Sequence, residues 1–146
     1  MNRVYLDYNA SAPLREEARE AMVHAMALAG NPSSVHAEGR QARAIVETAR
    51  QQVAAALGAQ GADVIFTSGA TEAAGLALTG RGIRCADIEH EAVSSWCQSD
   101  LSCGLDGGVA CQAPGATALQ LANSETGILQ QLPDGLALCD MTQAFG

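Results

Sequence analysis

The sequence predicts an α/β fold, a mostly parallel sheet with flanking helices, from three observations. Hydrophobic residues make up 48% of the 146 positions but aromatics only 3%, so the core must be built from Ala, Val, Leu and Ile in closely packed helix-on-sheet layers. The first 58 residues carry two stretches of helical periodicity. Between Asp63 and Ile88, an apolar run, a helix-forming series and a second apolar run follow one another, and a strand–helix–strand succession implies parallel pairing.

The elements follow in order. Pro13, Glu16 and Glu17 open a helix in which Ala18, Met22, Ala25 and Met26 recur at helix spacing, and Gly30-Asn31-Pro32 ends it. A longer helix starts after Ser33-Ser34, carries Ala42, Ile45, Val46, Ala49, Val53, Ala56 and Leu57 on one face, and stops at Gly58. Residues 63–67 read as a short buried strand, Thr71 to Thr79 as a helix, and Ile83 to Ile88 as the next strand. Glu91 to Gln98 reads as another helix, and the Gly-rich 101–117 stretch as a turn, a short strand and a loop. Leu119 to Ala122 and Leu136 to Asp140 read as two more strands.

Composition excludes several classes. The net charge is −8, and no basic cluster is present to follow a phosphate backbone or an anionic membrane, so neither nucleic acid nor membrane is an expected partner. All eight basic residues are arginines, and the chain contains no lysine. Its five cysteines are widely spaced without a C-x-x-C pair, which indicates reduced, buried or inert thiols and no metal site. The N-terminus lacks a continuous apolar segment, so a cytoplasmic protein is expected.

Three positions could carry chemistry. In an open α/β sheet, ligands gather at the carboxyl ends of the strands. Ser68-Gly69-Ala70-Thr71 falls at such an edge, where Gly69 permits a tight turn and the N–H groups of Ala70 and Thr71 open a helix, forming a phosphate cradle. An ordinary βα turn with a Thr/Ser cap would read the same way. His90 lies just past the next strand, placed to stack on a ligand ring or to move protons, although a lone His is more often structural. Asp140 directly follows an apolar run, with Gln143 three residues on. A carboxylate there suits a cationic ring nitrogen, or simply caps a turn. Cradle, stacking ring and strand-end carboxylate together match the phosphate, the aromatic face and the protonated pyridine nitrogen of pyridoxal phosphate.

The segments "VYLDYNASAPL", "GNPSSVHAEGRQAR", "VIFTSGATEA", "IEHEAV", "ANSETGILQ" and "DMTQAFG" resemble, in that order, the N-terminal half of a cysteine desulfurase of the class V aminotransferase family. The resemblance implies part of the three-layer large domain of pyridoxal-phosphate-dependent aminotransferases. Residues 1–32 would form an N-terminal segment and helix, and 33–146 the first part of the cofactor-binding domain. It implies that Ala70 and Thr71 bind the cofactor phosphate, that His90 stacks on the ring and assists proton transfer, that Asp140 pairs with the ring nitrogen, and that Gln143 meets the phenolic oxygen. The implied substrate is L-cysteine, converted to alanine while its sulfur passes as a persulfide towards iron–sulfur clusters or thio-cofactors. The implied partners are a sulfur acceptor or iron–sulfur scaffold protein and, in the complete protein, a second copy in a homodimer.

The chain departs from the family pattern at several points. Asn123-Ser124-Glu125 stands where the family usually reads Asn-Asn-Glu, so either Asn123 or Ser124 would make the ring contact. The segments on both sides of this motif are shorter than the family's. The chain contains no lysine to anchor the cofactor, and the resemblance implies that the sulfur-accepting cysteine and the small C-terminal domain would also lie outside it. The chain is therefore expected to be a truncated desulfurase, inactive alone. The alternatives are a half-domain that binds a phosphate ligand or a partner without catalysis, or one chain of a two-chain class V enzyme, such as a relative of the selenocysteine lyases.

Overall fold

Local signals set the helices of the first part of the chain. In the computed structural model, which describes residues 3–145, α1 spans Glu16–Met26 and α2 spans Ala37–Ala56. The first turn of α1 holds Glu16 and Glu17, whose charges suit the positive end of the helix dipole. The His36 side chain caps α2 by accepting from the Gly39 N–H at 3.4 Å. Gly58, at φ +64°, closes α2. The Ala59 N–H reaches the Ala54 carbonyl at 2.8 Å and the Gly58 N–H reaches Ala55 at 3.0 Å, the paired bonds of a Schellman motif. Gly39 is required by close approach, because a Cβ there would overlap the Ser34 carbonyl oxygen and stand 2.8 Å from that of Asn31.

The chain divides into two compact units, residues 1–66 and 67–146. In the second unit α3 covers Ala70–Leu78, β1 Arg84–Ala86, α4 Glu91–Ser94, β2 Gln98–Leu101, β3 Ala118–Gln120 and β4 Leu138–Asp140. β1 pairs in parallel with β2, and β3 in parallel with β4, with Gln120 opposite Asp140. A single parallel bridge between Arg84 and Thr117 joins the two pairs, so the strands run β2, β1, β3, β4. The apolar core lies here: Leu78, Cys85, Ala118 and Leu119 are fully buried, with Ile83, Val93 and Ala74 close behind. α3 receives the chain after α4 closely, since a Cβ on Gly75 would stand 3.2 Å from the Trp96 ring. No helix among the described residues is long and apolar enough to cross a membrane.

Several expectations are corrected. Residues 63–67 join no strand ladder among the described residues, and Ile65 and Phe66 are 76% and 50% exposed. An apolar run becomes a buried strand only where a neighbour supplies backbone partners. Phe66 instead lies beneath the Arg50 guanidinium, 5.1 Å from its ring centre. The helix expected over 91–98 stops at Ser94. Bonds from Trp96 N–H to Val93 O and from Cys97 N–H to Ser94 O tighten the chain, and Gln98 then pairs with Arg84. The strands at 83–88, 119–122 and 136–140 shrink to three residues each. In the Gly-rich stretch, the buried Gln130 amide accepts from Val109 N–H and donates to Gly107 O, which holds a turn around the Cys103–Val109 bridge.

Candidate functional site

The start of α3 offers donors. Its first intrahelical bond runs from Ala73 N–H to Gly69 O, so the N–H groups of Ala70, Thr71 and Glu72 have no acceptor within the helix. The turn before it is held from both sides. Glu72 folds back to accept from the Ser68 N–H at 2.7 Å and the Ser68 hydroxyl at 2.6 Å, which keeps its carboxyl below the usual range. The Thr67 hydroxyl donates to Gly69 O at 3.0 Å. Gly69 itself is extended, and a Cβ there would meet nothing within 4 Å. The tight glycine turn expected from the sequence is thus replaced by side-chain ties.

His90 is the N-cap of α4, and its Nδ1 accepts from the Ala92 N–H at 3.1 Å. That bond places the proton of the neutral ring on Nε2. Asp140 ends β4. Its Oδ1 accepts from both the N–H and the hydroxyl of Thr142, at 2.8 and 2.6 Å, so both described bonds fall on one oxygen.

One cavity brings together Ala70, Thr71, His90, Ser124, Asp140 and Gln143. Asn123 does not line it. Its amide is buried and engaged, donating to Ile88 O at 2.7 Å while its oxygen accepts from the N–H groups of Glu125 and Thr126. Gln120 and Thr142 also line the cavity, and the sequence reading did not single them out. Thr142 could have been found as the second residue after a strand-end Asp, a position where a hydroxyl closes the turn. Gln120 is recognisable only once β3 is paired with β4, because its place at the cavity comes from standing opposite Asp140.

Glu89, adjacent to His90 and bonded to the Gln120 N–H, is 8% exposed. Burial pushes its carboxyl up to about 7, opposed by the bond from Gln120 N–H and reinforced by the charge of Asp140. Burial also pushes the Cys97 thiol up to about 12, so it stays protonated and is a poor nucleophile.

The aminotransferase class-V family profile matches residues 4–106. The cysteine desulfurase IscS of Dictyoglomus turgidum is 42% identical over 104 residues, which cover 64% of this chain and 26% of that protein. The selenocysteine lyase of Bos taurus is 52% identical over 77 residues, covering 52% of this chain and 18% of that protein. Among solved structures, a NifS-like protein from Rickettsia africae superposes with a TM-score of 0.79 at 28% identity, covering 88% of this chain and 42% of that one. The chain thus spans less than half the length of each of these relatives. With its profile matched over most of the chain and its fold shared with NifS-like structures, this protein belongs to the aminotransferase class-V family, whose members use pyridoxal phosphate.

Proposed function

We propose that residues 67–146 form the cofactor cradle of a pyridoxal-phosphate-dependent cysteine desulfurase. The observation that carries this reading is the single cavity lined by Ala70, Thr71, His90, Ser124, Asp140 and Gln143. The residues fit the cofactor. The open N–H groups of α3 suit a phosphate, and Asp140, with both described bonds on Oδ1, keeps Oδ2 for a protonated ring nitrogen. When bound, the cofactor supplies an electron sink for charge developing at the substrate's α carbon.

In this reading Ala70 and Thr71 hold the phosphate, and His90 stacks on the ring and moves a proton through Nε2. Asp140 keeps the ring nitrogen protonated, Gln143 donates to the phenolic oxygen, and Ser124 makes the ring contact. Asn123 acts from behind, by holding the loop at Ile88. The substrate is L-cysteine: its C–S bond breaks, its sulfur joins an acceptor thiolate as a persulfide, and alanine is released. Because the chain has no lysine, the anchoring amine comes from another stretch of polypeptide, and the chain alone is inactive. In this reading the acceptor thiol comes from there too. The complete enzyme works in the cytoplasm as a homodimer and passes sulfur to an iron–sulfur scaffold or a thio-cofactor pathway. The 52% identity to a selenocysteine lyase favours a second reading, in which the same cavity serves selenocysteine.

Titration of the chain with pyridoxal phosphate tests the cradle, with Trp96, the single tryptophan, as reporter because it borders a groove shared with Thr71 and His90. Saturable quenching is expected, with pyridoxal lacking the phosphate binding at least about tenfold more weakly and Asp140→Asn weakening the cofactor by about tenfold. Equal binding of the two pyridoxal forms, or none by either, overturns the reading.

A further inference from the structure

Among the described residues, Glu89 is the one carboxyl that is buried and only half satisfied. Its Oε1 accepts from the Gln120 N–H at 2.8 Å, while Oε2 has no hydrogen-bond partner and no exposure. Gln120 is 4% exposed, lines the cavity, and stands opposite Asp140 across the β3–β4 ladder. The Glu89 N–H is itself tied to Ala86 O at 3.2 Å, and the preceding carbonyl, that of Ile88, accepts from Asn123. Two successive residues immediately before His90 are therefore bound to the chain at and just beyond the end of β3.

We propose that Glu89 is a positioning residue of this cavity: its buried carboxyl ties the 87–90 loop to the end of β3 and so fixes His90 relative to Asp140. The titratable groups around it are Asp140 and Cys139 on β4, Cys85 on β1, Cys97 ahead of β2, and the adjacent His90. The three thiols are pushed up by burial and stay neutral, so Asp140 is the negative charge that Glu89 meets. A second carboxylate beside it is unfavourable, and Glu89 keeps its proton into the neutral range. The protonated acid still accepts the Gln120 N–H.

The sign of the linkage follows. The folded chain holds this proton up to about pH 7, whereas the unfolded chain releases it near the ordinary 4.5. The proton's contribution to stability is therefore complete below pH 4.5 and is lost as pH rises to 7. Glu89→Gln keeps an oxygen for the Gln120 N–H and removes the titration. Glu89→Ala removes the tie.

Only the ligand measurement rests on the reading of the cavity as a pyridoxal phosphate site. The experiment compares wild type, Glu89→Gln and Glu89→Ala by three readouts: thermal midpoint from pH 4.5 to 7, the His90 ring resonance by NMR without ligand, and pyridoxal phosphate affinity. Relative to Glu89→Gln, wild type should lose midpoint steadily across that range. Glu89→Ala should shift the His90 resonance and lower affinity at least about tenfold, whereas Glu89→Gln should stay within about threefold of wild type. If wild type binds no pyridoxal phosphate, the cofactor reading fails, and the His90 resonance and the pH slope still decide the role of Glu89. An unmoved His90 resonance in Glu89→Ala overturns the proposal, and so does a pH slope shared by wild type and Glu89→Gln. If Glu89→Ala does not fold, the slope in Glu89→Gln decides it.

Discussion

The two units of the chain invert the relation between pattern and burial. Residues 16–58 carry long helical periods with clear start and stop signals, yet α1 buries no residue and α2 buries only Gly39 and Ala54. Residues 67–146 hold strands of three or four residues, yet the largest fully buried side chains, Leu78, Leu119, Val93, Thr117 and Cys85, all lie there. Periodicity and caps are properties of residues three and four apart, whereas burial depends on segments that meet across long sequence separations. A strong local pattern therefore marks where an element forms, not where the core lies.

Paired substitutions test this contrast. The largest effect is expected from Leu78→Ala, which empties a fully buried site on α3 and should cost about 2–5 kcal/mol by denaturant unfolding. Met22→Ala on α1, where the side chain is 49% exposed, should stay within about 0.5 kcal/mol. Equal costs would break the contrast. An intermediate effect is expected from Gly39→Ala. Alanine is the better helix former, but its Cβ would overlap the Ser34 carbonyl oxygen, so the change should lower stability by about 1–3 kcal/mol and show as lost helical circular dichroism. A gain in stability would mean that the 31–39 turn yields easily. The smallest effect is expected from Asp100→Asn, which removes an exposed cross-strand pair with Arg84 at 2.8 Å. The melting midpoint should fall by about 2 °C or less, and the difference should vanish in high salt.

The two histidine caps give the same lesson at the scale of single residues. His36 and His90 each precede a helix and accept a backbone N–H through Nδ1. His36 also meets the Glu38 carboxylate on its own helix, whereas His90 lines the cavity with residues from α3 and β4. Their local sequences differ little in kind, and their surroundings separate them.

Much of the candidate site was legible in the sequence. Ala70, Thr71, His90, Asp140 and Gln143 each follow a helix or strand boundary, and such boundaries leave a local mark: a turn, an apolar run that ends, a cap. The choice between Asn123 and Ser124 was not legible, because both are small polar residues in one turn. Only the bond from Asn123 to Ile88, thirty-five positions away, takes its side chain from the cavity. Glu89 and Gln120 were missed for the same reason, since they meet across thirty-one positions through a bond that leaves no periodic trace.

By itself, the sequence determined the α/β class, the approximate positions of the first three helices and the start of α3 just after Gly69. All of these follow from propensity, from hydrogen bonds between near neighbours and from the alternation of apolar runs with turns. The tertiary structure decided which apolar run became a paired strand, left residues 63–67 unpaired and cut the 91–98 helix short at Ser94. It also decided that Ser124 rather than Asn123 faces the cavity, and that a buried carboxyl stands behind His90. Those outcomes depend on which backbone donors and acceptors meet once the strands align, and that pairing is made between segments too far apart for any local pattern to record.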